Sequence, residues 1–203
     1  MGQFSSPPRI AIVLLAAGAS TRMGSPKQLL TYEGKTLVRR AVETALASVC
    51  RPVVVVLGAN AFAVGAELEL PVIVTRNREW ETGMGSSIRA GLEAVLAANG
   101  DVDAVVVMLC DQPFVTAELI DTLIERGRET GKTIVGTEYR GTRGVPAFFA
   151  RELFAELCAL RGHEGARQII RSHPDDTAVV PFVGAAIDID TPQDYEALCV
   201  ADE

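Results

Sequence analysis

Positive charge is scarce in this chain of 203 residues: 19 Lys and Arg stand against 26 Asp and Glu, a net charge of −7. A surface that grips RNA or DNA needs a basic footprint, so a nucleic-acid partner is excluded and any bound nucleotide is expected to be small. Cysteine is thin as well. Cys50, Cys110, Cys158 and Cys199 stand far apart with no CxxC pair and no short Cys/His spacing, which removes a zinc site and a disulfide framework and leaves reduced thiols. The two histidines, His163 and His173, are read as surface side chains without a catalytic role. No apolar run is long enough to span a bilayer, and the opening MGQFSSPPRI carries no signal-peptide core, so the expectation is a cytoplasmic protein with no membrane partner. Internal repeats, heptads and low-complexity segments are missing too.

What is present is a 48% hydrophobic composition, enough for one globular core. Residues 9–203 are expected to form a single domain behind a disordered tail of residues 1–8. Short β-branched runs at residues 10–15, 52–57, 72–74, 104–109 and 133–136 suit strands buried on both faces. Helical stripes lie between them, at residues 36–48 and 86–98, with another opening at a Thr116 cap. This alternation points to an α/β, Rossmann-like three-layer fold with helices on both faces of a mostly parallel sheet. The stretch YRGTRGVPAFF, residues 139–149, reads as a hairpin or excursion rather than a sheet-core strand. Helices over residues 152–160 and 165–172 follow. A short strand near residues 186–189 and a helix opening at TPQDYEAL, with Thr191 as cap and Pro192 in its first turn, close the chain.

Ligands of open α/β sheets bind beyond the carboxyl ends of the strands, so the residues following each strand carry the interest. The first such loop is LAAGASTRMGSPK. Ala16, Ala17, Gly18, Ala19 and Ser20 can turn backbone N–H groups toward an anion, and Arg22 and Lys27 add cations suited to a triphosphate. The loop fits neither GxxxxGK[ST] nor GxGxxG. The second is ETGMGSSI, where Gly83 and Gly85 free the backbone before Ser86 and Ser87 open a helix. The third is Asp111, a carboxylate at the end of the apolar run VVVMLCDQP, a hard-oxygen ligand of the kind Mg²⁺ takes alongside phosphates. The fourth is IDIDTPQD, whose Asp188 and Asp190 alternate onto one face. One of them completes a metal site with Asp111, or Asp190 merely precedes the cap of the last helix.

With those four segments in order over residues 10–198, the chain resembles the molybdenum cofactor nucleotidyltransferases. It is closest to their cytidylyltransferase (MocA-like) branch and related to the guanylyltransferase (MobA) branch. LAAGASTRMGSPKQLL looks like the family's nucleotide signature, TGMGSSI like its branch-typical segment, DQP like its metal turn and DIDTPQDY like its C-terminal motif. The resemblance implies Mg²⁺-dependent (or Mn²⁺-dependent) transfer of CMP from CTP to the terminal phosphate of molybdopterin, giving the cytosine dinucleotide cofactor and pyrophosphate. It implies nucleotide binding by Leu15, Ala16, Ala17, Gly18, Ser20, Arg22, Lys27, Gly83, Ser86 and Gln112, catalytic roles for Arg22, Lys27 and Asp111, and metal held by Asp111 and Asp190. Ala17 and Gln112, where the guanylyl branch reads LAGG and DMP, imply a pyrimidine. Arg143 and Arg167 are assigned to the acceptor's phosphate, and a molybdoenzyme of the xanthine dehydrogenase type is an implied partner. The chain departs from the family's GHP and GDxGAR at Gly144-Val145-Pro146 and at residues 162–167, where His163 stands for Asp. Competing readings are a guanylyltransferase, a sugar- or polyol-phosphate nucleotidyltransferase of the same fold, and a non-catalytic cofactor chaperone.

Overall fold

A computed structural model describes residues 8–139, 141–182, 184 and 188–200. Its elements are, in chain order, β1 (Ile10–Ala16), the two-residue strands β2 (Thr31–Tyr32) and β3 (Lys35–Thr36), α1 (Leu37–Ala47), β4 (Val53–Leu57), α2 (Ala61–Gly65), β5 (Ile73–Arg76), α3 (Met84–Ala98) and β6 (Ala104–Leu109). Then come α4 (Ala117–Thr130), β7 (Ile134–Tyr139), β8 (Thr142–Ala150), α5 (Phe154–Ala159), α6 (Ala166–Ser172), β9 (Thr177–Pro181) and α7 (Pro192–Val200). The seven-stranded sheet runs β5-β4-β1-β6-β8-β7-β9. All its neighbours pair parallel except β8, which lies antiparallel to both β6 and β7.

Strand alternation divides the core into two layers. Ile10, Ile12 and Leu14 of β1 face α1 and α4 through Val38, Val42, Leu119 and Ile120, while Ala11, Val13 and Leu15 face α3, α5 and α6 through Ile88, Leu92, Leu157 and Ile169. The expected three-layer α/β/α architecture is therefore present. Thr36 and Thr116 cap α1 and α4, their hydroxyls accepting from the amides of Arg39 and Leu119.

Three expectations need correcting. The stretch read as an excursion is β8, nine residues in the middle of the sheet between β6 and β7, with Ala147 and Phe149 fully buried. Gly141 lies in the turn after β7, and Val145 and Pro146 stand unpaired at a register shift between Gly136 and Thr137, which masks the alternation of the rest. Helix α3 opens at Met84, so Ser86 and Ser87 lie inside its first turn. The final strand of the sheet is β9, a half-exposed edge. The strand expected near residues 186–189 lies partly outside the described residues, and Asp188 and Ile189 are irregular. Residues 1–7 of the expected tail also lie outside them.

Candidate active site

From β1 the chain passes through α1 to β4 on one side; from β6 it passes through α4 toward β7 on the other. The carboxyl ends of β1 and β6 thus flank the point where the winding reverses, where open sheets hold their ligands. A cleft of about 530 Å³ opens there, a size suited to a nucleotide. Leu15, Ala16, Ala17, Gly18, Arg22, Lys27, Gly83 and Asp111 line it, joined by Trp80, Met84, Ser87 and His163.

One buried side chain shapes the loop after β1. Gln28, 1% exposed, donates from Nε2 to the carbonyls of Ala16 (3.0 Å) and Gly18 (2.8 Å). Ser20, at φ 57°, places its hydroxyl to accept from the amide of Lys27 at 3.0 Å. These bonds occupy the loop's carbonyls from behind and fix where Lys27 begins.

Lys27 then reaches Asp111 Oδ2 in a close ion pair and Asp190 Oδ1 at 2.9 Å, and Arg22 meets Asp190 Oδ2 at 2.8 Å. Asp190 arrives because the amide of Ile189 donates to the carbonyl of Asp111 at 3.1 Å, and Asp194 accepts from the amides of Asp190 and Thr191. Burial alone would lower the basicity of Lys27, but Asp111 and Asp190 outweigh it and hold the ammonium above its ordinary value. Burial likewise opposes ionisation of Asp190, yet Lys27 and Arg22 hold it below the usual carboxylate range. Asp188 runs the other way, raised first by burial and then by Asp111, against a hydrogen bond from Gln112. Cys110 is inert at neutral pH, since burial, with Asp111 adding to it, pushes its thiol up to about 12.

Asp111 Oδ1 is buried and has no hydrogen-bond partner. An ionised oxygen left so is costly unless a cation completes it, and its neighbour Asp190 supplies a second hard oxygen, so the pair fits a divalent metal. Among the described residues no three His, Cys, Asp or Glu side chains form a ready metal cage. One or two carboxylates suffice for a metal carried mainly on substrate phosphates.

Other expected residues sit elsewhere. Ser86 is packed behind the wall, accepting from Asn77 at 2.8 Å and lying 2.8 Å from the carbonyl of Gly83, while its neighbour Ser87 faces the cleft. Gln112 donates to the carbonyl of Val145 and to Asp188, both at 3.1 Å, and thereby ties β8 to the carboxylate cluster. Arg167 donates to the hydroxyl of Tyr139 at 2.6 Å beside Gly144, and Arg143 stands opposite Glu138 near the β7–β8 turn; neither lines the cleft. Sequence reasoning missed Gln28, Trp80, Met84 and the position of His163. Only Gln28 left a trace, as a polar residue in front of LL, whereas His163 reaches the cleft because Gly162 packs on Gly83.

Residues 12–177 match the family described as MobA-like NTP transferase domain. A protein named nicotine blue oxidoreductase, from Paenarthrobacter nicotinovorans, is 45% identical over 119 residues, covering 58% of this chain and 56% of its own. The chain thus spans little more than half of that relative. The purine catabolism protein PucB of Bacillus subtilis is 29% identical over 93% of this chain and 95% of its own. Among solved structures, Rv0371c of Mycobacterium tuberculosis superposes with a TM-score of 0.82 at 30% identity, covering 96% and 99% of the two chains. Its complex with manganese gives 0.80 at 29%, covering 95% and 99%.

Proposed function

Since the chain belongs to the MobA-like NTP transferase domain family and is an enzyme of the nucleotidyltransferase type, we propose that it transfers CMP from CTP to the terminal phosphate of molybdopterin. The observation that carries this reading is the convergence of Arg22, Lys27, Asp190 and the unpartnered Asp111 oxygen at one end of a nucleotide-sized cleft. Ala17, Trp80 and Met84 line the same cleft and offer apolar surface to a base.

In this reaction an acceptor phosphate oxygen attacks the α-phosphorus in line; the new P–O bond forms as the α–β bridge breaks and pyrophosphate leaves with the electron pair. No protein nucleophile is required, so catalysis is positioning and charge neutralisation. Arg22 and Lys27 bind the β and γ phosphates and stabilise the departing pyrophosphate. The backbone of residues 17–20 cradles the chain of phosphates. Asp111 and Asp190 hold a divalent cation, Mg²⁺ in this reading, which supplies charge neutralisation at the phosphates. The manganese complex of Rv0371c supports a divalent metal in this fold. Gln112 ties the metal turn to β8, the strand that also carries Arg143 and abuts Arg167, the residues assigned to the acceptor.

The test is pyrophosphate release from CTP, GTP, ATP and UTP in parallel, with molybdopterin and either Mg²⁺ or Mn²⁺. Preference for CTP supports the reading; preference for GTP moves it to the guanylyl branch. Turnover only with a sugar or polyol phosphate replaces the acceptor.

A further inference from the structure

Lys27 holds two partners at once, Asp111 and Asp190, which lie 79 residues apart in the chain and share no other side-chain bridge among those described. The ammonium therefore sits between the two carboxylates assigned above to the metal. Its starting point is fixed by the Ser20 hydroxyl on its own amide and by the Gln28 clasp, and its side chain is only 16% exposed. We propose that in the nucleotide-free protein Lys27 occupies the divalent cation's seat, and that nucleotide entry draws it onto the phosphates, so that metal is taken up with the nucleotide and not before it. The inference rests on reading Asp111 and Asp190 as the metal's carboxylates.

Charge counting gives the reason. Three carboxylates, Asp111, Asp188 and Asp190, share the site with two cations, Lys27 and Arg22. A divalent ion added to that set leaves surplus positive charge in a partly buried cleft, where like charges repel strongly. A triphosphate brings several negative charges, offers Lys27 a new partner and releases both carboxylates. Metal and nucleotide then raise each other's affinity by the same factor, as linkage requires. The unpartnered Asp111 Oδ1 fits the same picture, because a single ammonium already engaged by Oδ2 and Asp190 leaves that oxygen uncompleted.

The experiment measures Mn²⁺ binding alone, by titration calorimetry and by the free-ion paramagnetic resonance signal, on the whole protein. Lys27→Met keeps the aliphatic stem and removes the competing charge. Its affinity for Mn²⁺ without nucleotide should exceed the wild type's by at least about tenfold, the factor equivalent to roughly 1.4 kcal/mol. Mn²⁺ should also raise the melting temperature of the variant more than that of the wild type, which reads seat occupancy independently of turnover. Affinity equal to or below the wild type's would overturn the proposal, as would a gain that survives Asp111→Asn in the same chain. A wild type that binds Mn²⁺ with CTP or GTP through Asp111, beside a Lys27→Met protein that binds it no more tightly alone, sinks only the displacement. Mn²⁺ binding with nucleotide that ignores Asp111→Asn sinks the metal reading itself.

Discussion

Gly83→Ala tests whether the wall of the cleft is held by a backbone that only glycine can adopt. Gly83 sits at φ 117°, ψ −178°, a region essentially closed to residues with a side chain and costing them about 1–3 kcal/mol. A methyl there would also stand 1.9 Å from the carbonyl oxygen of Gly162, 2.2 Å from its carbon and 2.8 Å from the amide nitrogen of His163. All three are backbone atoms, so no rotamer relieves the contact, and the turn carrying His163 must move. Overpacking of this kind costs another 1–3 kcal/mol or so. The loss should reach about 3 kcal/mol or more, which for a domain of this length lowers the melting temperature by roughly 6–12 °C. Thermal and urea unfolding followed by circular dichroism measure it. Gly18→Ala is the control. No heavy atom lies within 4 Å of a methyl at Gly18, so its stability should stay within about 0.5 kcal/mol of the wild type. A Gly83→Ala protein that melts with its parent would refute the packing of residues 162–163 on the start of α3.

Three further changes bear on the same cleft. Gly58→Ala puts a methyl 2.4 Å from the carbonyl oxygen of Ala17 and 2.8 Å from Cβ of both Ala17 and Trp80. It should cost about 1–3 kcal/mol in urea unfolding and weaken CTP in a binding titration, since both displaced residues line the cleft; an unchanged CTP affinity would remove Ala17 and Trp80 from the base end. Asp188→Asn should raise the melting temperature at neutral pH. The folded carboxyl is raised by burial and by Asp111, so the folded state binds that proton more tightly than the unfolded chain, and the penalty of ionising it fades as pH falls through the folded value. The gain should shrink toward zero in acid, and a gain that persists or grows there would reverse the assignment. Asp190 behaves oppositely. Held below the usual range once Lys27 and Arg22 outweigh burial, it contributes stability that is complete above the ordinary carboxylate value of about 3.9 and is lost only in stronger acid, so Asp190→Asn should melt lower than the wild type at pH 7 and converge with it there.

Which parts of the fold were legible follows from what each segment must bury. Strands β1, β4 and β6 are covered on both faces, so their runs of Val, Ile and Leu have no competing reading of comparable length. Strand β8 is just as central, but Gly144 and Pro146 serve its register shift and Arg143 its exposed end, and those residues look like a loop when the partner strands are unknown. Edge strand β9 is half-exposed along TAVVP and carries too little alternation to be separated from its surroundings. At the site, Arg22, Lys27 and Asp111 could be chosen because charge has a chemical reason to follow a strand. Gln28 could not, since its role depends on two carbonyls ten and twelve residues away in a loop whose path the sequence leaves open.

The two departures from the family pattern differ in consequence for the same reason. Gln112 binds Val145 through its main-chain carbonyl, an atom every residue has, so the side chain at that position can change without breaking the link between β8 and the carboxylate cluster. His163 belongs to the opposite case. Its turn is anchored by backbone contacts of Gly162 with Gly83 and Gly85, and His163 itself lines the cleft. A substitution there alters what a ligand meets while leaving the anchor in place. If the acceptor differs from molybdopterin, the difference is therefore read at His163 before it is read at Val145.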